Sequence, residues 1–409
     1  MIETAPETPL FLRGATWLGA DPEGEVAQTG DIRIANGVIH SVGALQPQPG
    51  DTILDAAQML VLPGLFDAVT DTSLMFCAGC LDEKYPETAL ANLAAARAAL
   101  DPAEEAVRTT YAARALLASG TTEVVDVIRS GPALAARVAA RRAALEVSGL
   151  RADLAVEISD MDSGDAALAD LFAQTDVAVR LQVAIAMPGP DEETEAWAQI
   201  TGLGLEGKDL YLLQPMQAAL QDTDGLLHAA AILSRSARAA GGRVIAPGLS
   251  LRNPAEAEVA AKSGLAVVLT PEAEAMLGRQ GSDGRILSKA GVDVRLGSGT
   301  LSNGGATMQT IMRLATMLDR PAQQQVSAWL TNRMVLGFAT RDRSGTPRHI
   351  APGAVADLAI YDLNAPVWTP LNNLDDQIVS SETGGSVILT LVNGRIVWRR
   401  ETTLAALAR

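Results

Sequence analysis

Asp67 and Asp71 close the run Val61-Leu-Pro-Gly-Leu-Phe-Asp67-Ala-Val69-Thr-Asp71-Thr72, an apolar segment that passes a Pro-Gly and stops in acidic and small polar residues. Asp67 reads as a structural residue that tightens the strand end, whereas Asp71 stands where a reactive group would. In a barrel of parallel strands, the strand ends form the mouth that carries the chemistry. A few residues on, Cys77-Ala-Gly-Cys80 offers two thiols that could hold a metal together with Asp71. Zinc sites usually take four ligands, and no second Cys-x-x-Cys or nearby histidine completes this one. Two ordinary thiols are therefore the plain reading, with redox chemistry and metal binding as alternatives. Asp82-Glu83-Lys84 reads as a solvated charge run rather than a ligand contact. Gly297-Ser-Gly-Thr-Leu-Ser-Asn-Gly-Gly305 is glycine-rich and opens a helix, as phosphate sites do. It lacks a P-loop lysine and the dinucleotide spacing, so a relaxed loop is the simpler reading. No Gly-x-Ser-x-Gly elbow occurs.

The elements that would position these residues alternate through the middle of the chain. After the Val61 segment, strands are expected at Thr122 to Ile128, Ala152 to Ile158, Val177 to Ala186, Leu210 to Leu213, Arg243 to Ala246, Ala266 to Thr270 and Val292 to Leu296. Helical segments lie between them, among them Pro102 to Ser119, Pro132 to Val147 and Asn253 to Lys262, several followed by a glycine fit for a left-handed cap. Eight strands with intervening helices make a (β/α)8 barrel. A doubly wound sheet would need a dinucleotide fingerprint, which is absent. Both flanks read instead as short strands and turns, with Asn36-Gly37 and Asn393-Gly394 as hairpin signals. The expected organisation is an α/β fold: a barrel over residues 61–351 and a small β-sandwich domain built from residues 1–60 and 352–409.

Composition narrows the partners. With 32 basic and 48 acidic residues, the net charge of −16 argues against nucleic acid or an anionic membrane. No apolar run approaches the ~20 residues that span a bilayer. The start Met1-Ile-Glu-Thr-Ala-Pro-Glu lacks a basic region and an apolar core, so no secretory signal is read there. Two cysteines provide no disulfide framework, and a cytoplasmic address is expected.

Six segments in order resemble the amidohydrolase superfamily, in the branch of s-triazine hydrolases, guanine deaminase and S-adenosylhomocysteine deaminase. Asn36-Gly-Val-Ile-His-Ser-Val-Gly43 is similar to its entry segment, and Val61–Thr72 to its first barrel strand, P-G-x-x-D-x-H-x-H. Leu117-Ala-Ser-Gly-Thr-Thr-Glu-Val-Val-Asp126 resembles its L-x-S-G-T-T-x-x-x-D, and Ala290-Gly-Val-Asp-Val-Arg-Leu-Gly297 the run into its last strand. Pro352 to Asp362 and Val392-Asn-Gly-Arg-Ile-Val397 are similar to its closing β segment. Family members bind a divalent metal whose bound water attacks the substrate. Carried over by position, the first-strand histidines read Val69 and Asp71, the fifth-strand histidine falls near Gln214 and the general-base glutamate at Gln217. The sixth-strand histidine aligns with Pro247 and the eighth-strand aspartate with Gly299. The chain's three histidines, His40, His228 and His349, all lie away from the expected strand ends.

The resemblance thus implies the fold and, without its ligands, neither a metal nor another cofactor. The main expectation is a non-catalytic barrel: a partner subunit, as a homo-oligomer or beside a catalytic amidohydrolase, or a ligand-binding protein. The alternative is a hydrolase or deaminase acting on a C–N bond of a small cyclic amide or amidine. Its pocket would draw on Asp71, Cys77, Cys80, Gln214, Gln217, Ser298 and Thr300.

Overall fold

Asn36 and Gly37 both take positive φ (52° and 80°), as do Asn393 and Gly394 (51° and 73°), and each pair turns the chain into a tight hairpin. The computed structural model describes residues 8–18, 27–77, 86–158, 166–175, 177–189, 191–213, 226–299, 307–320, 323 and 325–400, with the backbone alone at 75–77, 86 and 87. The first part of the chain supplies β1 (Leu10–Leu18), β2 (Ala27–Ala35), β3 (Val38–Gly43), β4 (Thr52–Asp55) and β5 (Met59–Pro63). The barrel follows as β6 (Leu65–Thr70), β7 (Thr121–Ile128), β8 (Arg151–Glu157), β9 (Arg180–Ala186), β10 (Leu210–Leu213), β11 (Val244–Pro247), β12 (Ala266–Leu269) and β13 (Asp293–Leu296). The chain returns as β14 (Leu358–Asp362), β15 (Val387–Val392) and β16 (Arg395–Arg399).

The flanking strands form one mixed sheet in the order β16-β15-β14-β5-β1-β2-β3, with β4 paired to β1. Its own buried core includes Trp17, Ile32, Ile34, Val61, Leu358, Ile360 and Leu391. N- and C-terminal segments therefore combine into one small sheet domain. Met59–Pro63 straddles the expected boundary at residue 60 and pairs antiparallel with β14, so the chain passes from sheet to barrel at Gly64.

The eight barrel strands are parallel and run in sequence order around the barrel. Their interior is a packed apolar cluster that includes Phe66, Val69, Val127, Tyr211, Leu213, Ile245 and Val268. A larger cluster fills the layer between strands and helices, where the apolar stripes of helices such as Pro102–Ala118 and Met308–Asp319 are buried. This is the (β/α)8 barrel expected from the strand count.

Closure comes from the chain beyond β13. Gly299 donates its N–H to the Val69 carbonyl (2.8 Å), and Thr70 and Gly299 form a parallel bridge. The approach is close. A Cβ on Gly297 would lie 2.9 Å from both Val69 N and Cγ1. Gly297→Ala is expected to cost about 1–3 kcal/mol through overpacking, read as a lower urea midpoint. Gly337, inside the helix Asn332–Ala339, has open space around the same position, so Gly337→Ala serves as the control. A Gly297→Ala change as harmless as Gly337→Ala would contradict this account of closure.

Candidate active site at the barrel mouth

The mouth is built on the ends of β6, β7 and β13. Asp67, buried on β6, ties the first strand to the segment after the last. Its Oδ1 accepts from the backbone N–H of Ser298 (3.0 Å) and of Val69 (3.3 Å), and the Ser298 Oγ lies 2.7 Å from its Oδ2. Ser298 Oγ is also 2.9 Å from Thr70 Oγ1. Burial pushes the Asp67 carboxyl up to about 7, against the pull of the Ser298 hydrogen bonds.

Asp71, one residue past β6, is committed to neighbours. Its Oδ2 accepts from Arg97 Nε (3.1 Å), and its Oδ1 from Ser73 Oγ (2.6 Å), Ser73 N (3.1 Å) and Arg141 Nη1 (3.3 Å). Burial alone would raise this carboxyl, but the Arg141 and Arg97 guanidiniums hold it below the ordinary value. Beside it, Asp126 of β7 accepts from Thr72 N (2.9 Å), Thr72 Oγ1 (2.7 Å) and Arg141 Nη1 (3.2 Å). Burial, opposed by Arg141 and aided by Asp71, pushes Asp126 up to about 6.

Arg141 is the common member. It reaches in from the helix Leu134–Ser148, which it shares with Arg137 one turn earlier. Arg141 Nη2 and Arg137 Nη2 each grip one oxygen of Glu105 at 2.6 Å, so three carboxylates and their arginines share one dry space. At the ends of β7 and β8, Arg129 Nη1 meets Glu157 Oε1 (3.2 Å), and Ser130 N donates to the other oxygen (3.0 Å).

The expected site residues separate. Asp71 belongs to the arginine network and Ser298 to the Asp67 clasp. Val69 is fully buried among the apolar side chains inside the barrel. Pro247 ends β11, and Gly299 lies in the closing bridge, so neither offers a side-chain donor. Gln214, Gln217, Cys80 and Thr300 fall outside the described residues, as does the side chain of Cys77. His40, His228 and His349 are exposed, on β3, on the helix Leu226–Ala239 and in the loop before β14. Among the described residues, no group of three or more His, Cys, Asp or Glu is placed to hold a metal ion. The described mouth residues do not fit a divalent cation, because the one carboxylate at a ligand position is already neutralised by two guanidiniums. What the described mouth does hold is two buried carboxyls, Asp67 and Asp126, that burial pushes up to about 7 and about 6.

Sequence reasoning missed Asp126, Arg141, Arg97 and Glu105. Arg137 and Arg141 are spaced to share a helix face, yet nothing local distinguishes a buried arginine face from a solvated one.

Two outcomes follow from this geometry. Arg141→Met leaves Asp71, Asp126 and Glu105 buried without their shared cation, and is expected to cost about 3–5 kcal/mol in urea unfolding. A loss below about 1 kcal/mol would show the network to be water-filled. The raised Asp67 value makes the native state bind a proton that the unfolded state has released. Its contribution to stability is therefore full below about pH 4 and is lost as pH rises toward 7. Asp67→Asn keeps the acceptor to Ser298 N and should remove up to about 1.4 kcal/mol per pH unit of that slope. An unchanged slope would contradict the assignment.

No family model matches the chain. A 5-methylthioadenosine/S-adenosylhomocysteine deaminase of Haloarcula marismortui is 27% identical over 382 residues, 86% of this chain and 84% of that one. A 5'-deoxyadenosine deaminase of Methanosarcina mazei is 25% identical over 418 residues, 95% of this chain and 92% of that one. An atrazine chlorohydrolase from Arthrobacter aurescens, solved with zinc, superposes with a TM-score of 0.77 at 20% identity, covering 98% of each chain. The guanine deaminase of E. coli does so with a TM-score of 0.77 at 15% identity, over 96% of this chain and 100% of that one. The likeness to the two solved structures is one of fold. Together with sequence matches that run the length of barrel and sheet, it bears out the resemblance to the amidohydrolase superfamily read from the sequence.

Proposed function

We propose that this amidohydrolase barrel does not run metal-assisted hydrolysis and works as a ligand-binding barrel or as a partner subunit. One observation carries the reading. Asp71, at a ligand position of the family's first strand, spends its oxygens on Arg97, Arg141 and Ser73, with its partner position filled by a buried valine. A carboxylate already paired with two internal cations has little charge left for a metal. The side chains aligned at Pro247 and Gly299 add no donor.

The second reading is a hydrolase or deaminase acting on a C–N bond of a small cyclic amide or amidine, and the comparisons favour it. The curated relatives that match most of the chain are called deaminases, and they argue for an enzyme rather than against one. Under this reading the chemistry would rest on groups that exchange protons near neutral pH, with Asp67 and Asp126 as the described candidates.

Ammonia release from adenosine-type nucleosides and from guanine separates the two. The chain as purified, and again with zinc or manganese added, is expected to give no rate above buffer. Turnover that survives repeated purification and falls at least tenfold in Asp67→Asn would establish the enzyme reading and remove the first.

A further inference from the structure

At the end of the barrel opposite the mouth, the segment Arg341-Asp-Arg-Ser-Gly-Thr-Pro-Arg-His-Ile350 lies between the strand starts and the sheet domain. Asp342 folds it into a tight turn, accepting from Ser344 N (2.8 Å) and Thr346 N (2.9 Å), and Arg341 bridges to Pro347. Two arginines of this segment plug the barrel floor. Arg343 Nη1 donates to Asp153 and its Nε faces Glu123 at 3.5 Å, while Arg348 Nη2 donates to Glu123 and its Nη1 to the Gly64 carbonyl (3.1 Å). From β8, Arg151 clamps Asp357 of the sheet domain with Nε and Nη2, both at 3.0 Å.

These arginines border a cavity of about 420 Å³ between floor and sheet domain. That is within the size range of small-molecule sites. Its charges are layered. Glu123 and Asp357 are 1% and 2% exposed and sit behind the guanidiniums, whereas the Arg151 and Arg343 side chains are 23% and 25% exposed. Each arginine pairs through part of its fork, and within the described residues no protein acceptor takes Arg151 Nη1 or Arg343 Nη2. His349 is exposed at the same rim. Of the acidic residues lining the cavity, Asp342 is occupied by its own turn. Apart from Ser344, the remaining wall is apolar, with Pro63, Ala354 and Val355 among its residues.

We propose that this floor cavity binds a small organic anion, its carboxylate or phosphate group held by the open edges of Arg151 and Arg343 and its apolar body laid against Ala354 and Val355. Forked donors next to an apolar wall recognise an oxyanion that carries a ring or chain better than a bare ion. The site stands apart from the mouth and from either reading of it. It joins the two domains at the Arg151–Asp357 clamp, so an occupant would touch both.

Calorimetric titration of the full chain at low salt with phenyl phosphate, benzoate, inorganic phosphate and benzylamine tests this. Phenyl phosphate and benzoate should bind saturably, inorganic phosphate at least several-fold more weakly, and benzylamine not at all. Their relative affinities tell which oxyanion the site prefers. His349→Glu places a negative charge on the rim without removing a hydrogen bond, and should weaken both organic anions about five- to tenfold. His228→Glu, on a distant exposed helix position, should leave them unchanged. Absence of saturation by both organic anions at millimolar concentration would overturn the proposal. So would benzylamine binding as tightly, inorganic phosphate binding as tightly as phenyl phosphate, or His349→Glu binding like the parent chain.

Discussion

The guanidinium of Arg141 holds the mouth in its present form. It gives Nε and Nη2 to Glu105, and Nη1 to Asp71, Asp126 and the Val127 carbonyl, all within a space that water barely reaches. One side chain thus fixes the helix Pro102–Ala118, the end of β6 and the end of β7 relative to one another. Such a buried network contributes little net stability over an apolar equivalent, because desolvating the charges offsets their attraction. Removing one member is another matter, since the others stay buried and unpaired. The network therefore acts less as a source of stability than as a constraint on what else the mouth can hold.

That constraint bears on chemistry. A divalent ion at the end of β6 would have to compete with Arg97 and Arg141 for Asp71, and would bring two more positive charges beside them. Inside the strands, Val69 and Leu213 belong to a packed apolar cluster. The scaffold is one that zinc-containing enzymes of known structure also use along nearly their full length. The fold is thus common ground between this chain and those enzymes. The proposed reading and the reading favoured by the relatives part at this point.

Much of the fold was legible because it rests on local rules. All eight barrel strands fall on the apolar runs that predicted them, although β9 starts three residues into the run Val177 to Ala186 and β6 only at Leu65, and the Asn-Gly pairs make the turns their backbone freedom allows. The sheet domain could be assembled from opposite ends of the chain because both flanks share a strand-and-turn texture. One strand was hidden. Met59–Pro63 runs into β6 without a polar break, and only the pairing with β14 separates sheet from barrel. The site was less legible, for a physical reason. Asp71 could be singled out by position, but its partners Arg97 and Arg141 lie 26 and 70 residues away. Their burial depends on helices that pack in three dimensions, and sequence spacing carries no trace of that.

The proposal that this chain works without a catalytic metal is tested most directly by elemental analysis of the purified chain at known concentration, after exposure to zinc, iron and manganese and removal of the excess. The account predicts metal far below one equivalent per chain, with no difference between the parent and Asp71→Ala. Near-stoichiometric metal in the parent that is lost in Asp71→Ala would contradict it.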